Sequence, residues 1–125
     1  MKKIITVIWG NPYSLYSLEG LLKKLSEKYE INIILTSIYN AERTKNFFSN
    51  KSYIKSFKLI YFDTLADIFS YIKIYNLKKF INESNLILTG DEREPYSKIL
   101  IHKIINKKIP VLVYWIHSSY FLDHE

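Results

Sequence analysis

The sequence predicts an α/β domain built on a doubly wound, five-stranded parallel sheet. Two observations lead there. Short apolar runs rich in β-branched residues recur along the chain, and segments with helical spacing separate them. The runs are continuously apolar rather than alternating, as expected for strands covered on both faces.

The elements follow in order. Lys3 to Trp9 (KIITVIW) reads as a buried strand ended by Gly10-Asn11-Pro12. Ser14 to Tyr29 carries Leu15, Leu18, Leu21, Leu22 and Leu25 at helical spacing, with Ser14 or Ser17 as its cap. Ile31 to Thr36 (INIILT) is a second strand. The polar stretch after it holds a short helix over Ala41 to Phe48. Phe57 to Phe62 (FKLIYF) is a third strand. Asp63 or Thr64 then caps a helix whose stripe of Leu65, Ile68, Phe69, Ile72, Leu77 and Ile81 runs to about Asn82. Asn85 to Thr89 (NLILT) is the fourth strand. A loop, Gly90 to Pro95, leads into a helix buried through Ile99, Leu100, Ile104 and Ile105. Val111 to Ile116 is the fifth strand, started by Pro110. Right-handed crossovers make the strand order 3-2-1-4-5.

Composition narrows the function. The 125 residues suit one domain, without internal linker or repeat. The longest apolar run, Ile109 to Ile116, falls far short of the roughly 18 residues that span a bilayer. The N-terminus lacks the pattern of a secretory signal, so a cytoplasmic location is expected. Without cysteine there are no disulfides, zinc-thiolate sites or cysteine nucleophiles. His102, His117 and His124 are scattered, and no metal is expected. The net charge of +6 suits an anionic partner. It is explained more readily by A/T-rich codons, because the chain is rich in Lys, Ile, Asn and Tyr together. The only arginines are Arg43 and Arg93, against sixteen lysines, so each stands where Lys was the easy choice. Tyr and Phe fall in strands and helix stripes, which favours packing over base stacking, and nucleic acid is not an expected partner. Lys73, Lys78 and Lys79 with Tyr71 and Tyr75 form either a solvated helix face or a peripheral contact with anionic membrane.

In such sheets ligands bind outside the carboxyl ends of the strands, where the strand order reverses. Three segments converge there. Gly10 and Asn11 open the first: glycine allows close backbone approach and the helix start can receive an anion, or the segment is a plain tight turn. The second is Gly90-Asp91-Glu92-Arg93-Glu94. Asp91 and Glu92 are placed for general-base work or sugar hydroxyls and Arg93 for phosphate, or the acids simply favour a helix start. The third is His117-Ser118-Ser119, where the histidine is an acid, base or ligand donor, or structural. The G-x-G-x-x-G pattern is not met, since Pro12 and Leu15 occupy its later glycine positions, so NAD is not expected. A Walker A loop and a nucleophile elbow are also lacking. No cofactor is expected.

The opening KKIITVIWGNPYSLYSLEGLLKKLSEKYEINIILT, the stretch SNLILTG and the segment KKIPVLVYWIHSS together resemble the N-terminal half of GT-B fold proteins. These are the two-Rossmann-domain glycosyltransferases and sugar-nucleotide epimerases, and the likeness covers nearly the whole chain. Within that class GDEREP and IPVLVYWIHSS are similar to the hydrolysing UDP-N-acetylglucosamine 2-epimerases, with two departures. Glu92 interrupts Gly-Asp-Arg, and Ser118 and Ser119 replace glycines.

The resemblance implies a Rossmann-like, acceptor-binding domain in polysaccharide or glycoconjugate synthesis. Asp91 and His117 would be catalytic, and Gly10, Asn11, Glu92, Arg93, Ser118 and Ser119 would contact substrate. It implies a nucleotide sugar and an acceptor glycan or lipid-linked sugar as ligands, no metal, and completion by a second domain or partner chain. The location would be cytoplasmic, at most peripheral on the inner face of the membrane. The alternatives are an epimerase fragment and a non-enzymatic, flavodoxin-like binding module.

Overall fold

A computed structural model describes residues 2–36, 40–59, 71–90 and 108–113, with side chains for all of these except 71–75. Five strands form one sheet: β1 (Lys3–Trp9), β2 (Tyr29–Leu35), β3 (Ile54–Leu59), β4 (Leu86–Thr89) and β5 (Val111–Val113). Their order is β3-β2-β1-β4-β5, every pairing is parallel, and β1 is central. The expected strand order is therefore observed.

Parity along β1 sorts the two faces, because successive side chains of a strand point to opposite sides. Ile5, Val7 and Trp9 join Ile31, Ile33 and Leu35 of β2 and Leu88 of β4 in one core cluster. The helices α1 (Pro12–Tyr16), α2 (Glu19–Leu25) and α3 (Ala41–Ser49) cover this face through Leu15, Leu22 and Phe48, joined by Leu18 from the turn between α1 and α2. Each of those four side chains is essentially fully buried, and burial of that kind stabilises by about 1.5–3 kcal/mol per side chain. Thr6, Ile8, Ile34, Ile87 and Thr89 are buried on the opposite side. There α4 (Tyr71–Asn82) buries Leu77 and Ile81, and the Lys58 ammonium of β3 lies 4.6 Å from the Phe80 ring centre. The connections β1-β2-β3 thus run on one face and the return to β4 on the other, which is the doubly wound arrangement.

Polar side chains enter the second face in pairs. Asn32 is buried and its Oδ1 accepts from the Ser56 hydroxyl at 2.8 Å. The hydroxyls of Thr6 and Ser84 are hydrogen-bonded to each other. Asn85 Oδ1 accepts from the Ile4 amide at 2.9 Å while its own amide donates to Ile4 O at 2.8 Å. The last two pairs tie the end of α4 and the start of β4 to β1, and the first ties β3 to β2.

Three boundaries differ from the sequence reading. The single helix expected over Ser14 to Tyr29 is two short helices, and neither Ser14 nor Ser17 caps its start. Asn11 does, its Oδ1 accepting from the Tyr13 and Ser14 amides at 2.9 and 3.4 Å. Ser17 ends α1, its hydroxyl donating to Ser14 O at 2.5 Å, and such local bonds compete with helix continuation. Tyr29 and Glu30 belong to β2. The third strand begins at Ile54, ahead of the expected Phe57, with an irregularity in its register to β2 between Ile31 and Asn32. Lys55 is skipped there and reaches Glu30, Nζ to Oε2 2.7 Å. The first part of the helix expected to run from Asp63 or Thr64 to about Asn82, the helix expected after Pro95, and the ends of the third and fifth strands at 60–62 and 114–116 lie outside the described residues. No helix among the described residues is long and apolar enough to cross a membrane.

Candidate functional site

The winding reverses between β1 and β4, so their carboxyl ends, Trp9-Gly10 and Thr89-Gly90, lie side by side. Hydrogen bonds fix this edge. The Thr36 amide donates to Trp9 O at 2.9 Å and the Thr89 hydroxyl to Ile8 O at 3.0 Å. The tips of β2, β1 and β4 are thereby held as one rim.

Trp9 shapes the rim. Its side chain is almost fully buried, and its Nε1 donates to Ser14 Oγ at 2.8 Å, pinning the indole to α1. The far ring of the indole lies against Gly90: a Cβ added to Gly90 would stand 2.6 Å from Trp9 Cη2 and Cζ2. Gly90 is thus required by packing rather than by backbone conformation, since no described glycine has a positive φ. The indole floors the helix-α1 side of the reversal point.

Of the expected site residues, Gly10 and Asn11 are described. Gly10 is half-buried at the end of β1 and Asn11 is exposed. The Oδ1 of Asn11 is held by the cap of α1, so this carboxamide oxygen shapes the turn. Asp91, Glu92, Arg93, His117, Ser118 and Ser119 lie outside the described residues, as do the side chains of Tyr71, Lys73 and Tyr75. Lys78 and Lys79 are exposed. Among the described residues no group of three His, Asp or Glu side chains is placed to hold a metal ion.

A second feature opens on the same rim, one strand away from the reversal. α1 and α3 both start from the carboxyl edge and run on the same face. Pro12, Tyr13 and Tyr16 of α1 and Asn40, Arg43 and Phe47 of α3 line a groove of about 360 Å³ between them. The spacing explains the lining: 13 and 16 fall on one side of α1, and 40, 43 and 47 on one side of α3. Thr44 and Phe48 turn into the core, and Tyr16 and Phe47 meet edge to face at 4.9 Å. Asn40 takes a left-handed conformation, φ 51°, at the start of α3. Its Nδ2 donates to the Tyr13 hydroxyl at 2.8 Å, which bridges the two helices at the groove mouth.

That bridge leaves the Tyr13 phenol its own proton to donate. The Tyr16 hydroxyl donates to Thr44 Oγ1 at 3.2 Å and keeps acceptor capacity. The groove therefore offers ring faces, one hydroxyl donor and the Arg43 guanidinium. Sequence reasoning missed it, because the lining comes from two helices that meet only in the fold. The one signal in the chain was Arg43, an arginine among lysines.

No protein-family profile, curated protein or solved structure matches the chain.

Proposed function

We propose that this chain is a glycosyltransferase-like, acceptor-side domain acting in polysaccharide or glycoconjugate synthesis. The observation that carries the reading is the all-parallel sheet of order β3-β2-β1-β4-β5, whose reversal puts the first and fourth strand ends together at one rim. Ligands of doubly wound domains lie at that place. The aromatic groove on the same rim supports it, since ring faces with a few convergent polar groups suit a sugar.

In this reading the acceptor glycan or lipid-linked sugar lies along the rim. Asp91 and His117 act on it, and Glu92, Arg93, Ser118 and Ser119 bind it together with Gly10 and Asn11. The nucleotide-sugar donor is held largely by a second domain or partner chain. The site of action is the cytoplasm, with at most a peripheral contact at the inner face of the membrane.

The test is a thermal-shift series on the purified chain with simple acceptor sugars, nucleotide sugars and free nucleotides. A ligand at 100 times its Kd adds about 2.7 kcal/mol to the native state. For a domain of this size that is a rise of roughly 10 °C. Stabilisation by acceptor sugars is the expected result. Stabilisation by free nucleotides alone, with none by any sugar, would refute the acceptor-side assignment. Conversion of UDP-N-acetylglucosamine by the complete protein would move the assignment to the epimerase branch.

A further inference from the structure

We infer that the groove between α1 and α3 recognises a sugar carrying an anionic group, a phosphate or a carboxylate, and that Arg43 supplies the recognition. The inference rests on the acceptor-side reading and narrows its substrate class. Arg43 is exposed on the groove wall and makes no hydrogen bond or ion pair among the described residues. Its planar fork matches an oxyanion through two parallel hydrogen bonds, which a lysine ammonium does not reproduce. In a chain with sixteen lysines, an arginine over a groove with no partner among the described residues is suited to a bidentate anion contact.

The rest of the groove suits a sugar ring. Its volume of about 360 Å³ lies in the range of small-ligand sites. Tyr13 is 63% exposed and presents a ring face and a free phenolic proton. Tyr16 and Phe47 form an apolar corner beside it. The Lys51 ammonium, just past the end of α3 and 4.5 Å from the Phe47 ring centre, adds positive potential on that side. A ring stacked on Tyr13 would direct its anionic substituent to Arg43 and a hydroxyl to the Tyr13 oxygen.

The test is an NMR titration of the full chain with glucose 1-phosphate, glucuronic acid, glucose and inorganic phosphate. The chain has two arginines, so only two Nε–Hε signals need assignment, and Arg43→Lys identifies one. Both anionic sugars are expected to shift the Arg43 Nε–Hε signal and the Tyr13 amide, at least tenfold more tightly than glucose. Arg43→Ala is expected to abolish that preference and Arg43→Lys to restore part of it, with unchanged circular dichroism, since the side chain is exposed. Tighter binding of glucuronic acid points to a uronic-acid acceptor, and of glucose 1-phosphate to a phosphorylated one. Equal binding of glucose and the charged sugars at the rim, unaffected by Arg43→Ala, would overturn the inference and leave the acceptor-side reading standing. A response of Arg43 to inorganic phosphate with no sugar bound anywhere would overturn both.

Discussion

Substitution of Gly90 by alanine tests how the rim is built. The added Cβ would meet the Trp9 ring at 2.6 Å, against an ordinary contact of 3.4–4 Å, so the indole must move by about 1 Å. It has little freedom to do so, being 3% exposed and held through Nε1 to Ser14 at 2.8 Å. Overpacking of a filled core costs about 1–3 kcal/mol, and loss of the indole hydrogen bond about 1 kcal/mol more. Against this, alanine restricts the unfolded chain, a gain of about 0.4–1 kcal/mol at most. The net expectation is a loss of about 1–3 kcal/mol in urea denaturation followed by circular dichroism. Trp9→Phe removes the ring atoms that collide, so it relieves the clash while opening a void of its own. The double variant Gly90→Ala/Trp9→Phe is therefore expected to lose less than the sum of the two single losses, by more than about 0.5 kcal/mol. A Gly90→Ala protein as stable as the parent, or strictly additive losses, would refute this account of Gly90.

Two further predictions concern single side chains. Asn11→Ala removes the cap of α1 and is expected to cost about 1 kcal/mol in the same assay, with Asn11→Asp or Asn11→Ser retaining most of the stability; an unchanged midpoint for Asn11→Ala would show that the cap is dispensable. The Tyr53 hydroxyl is buried with no hydrogen-bond partner among the described residues, and burial, reinforced by the negative charge of Glu19, raises its pKa above the ordinary value of 10.0. The folded state prefers the neutral phenol, so its contribution is full below the unfolded pKa and is lost as pH rises through the higher folded one. Tyr53→Phe is expected to be neutral or stabilising near pH 7 and to flatten the stability profile above pH 10, measured by denaturation across that range. A large loss at pH 7 would mean that the hydroxyl has a partner in solution.

Much of the architecture was legible because it rests on period. Ile4, Ile5, Val7 and Ile8 in β1 and the Ile-rich run of β2 are continuously apolar, since both faces of the sheet are covered. The crossover rule then fixed the order. The third strand was harder to place: β3 lies at the sheet margin and mixes Ile54, Phe57 and Leu59 with Lys55, Ser56 and Lys58, so its first half has no apolar run to read. The break between α1 and α2 was hidden by leucines that keep helical spacing across it, while the Ser17 hydroxyl and the Asn11 cap act on the backbone. The bridge between Asn40 and Tyr13 joins residues far apart in sequence, and no local pattern announces it.

The margin at β3 has a bearing on life in a crowded solution. An outer strand is a template onto which a foreign chain can zip, and regular, flat, uncharged strands are the dangerous ones. Here the ladder slips a residue at Lys55, and both Lys55 and Lys58 carry charge along the same short stretch. An incoming strand would have to follow the kink and pack beside two lysines already engaged with Glu30 and the Phe80 ring, so fibrillar growth from this side of the protein is discouraged by the residues that blurred its outline in the sequence.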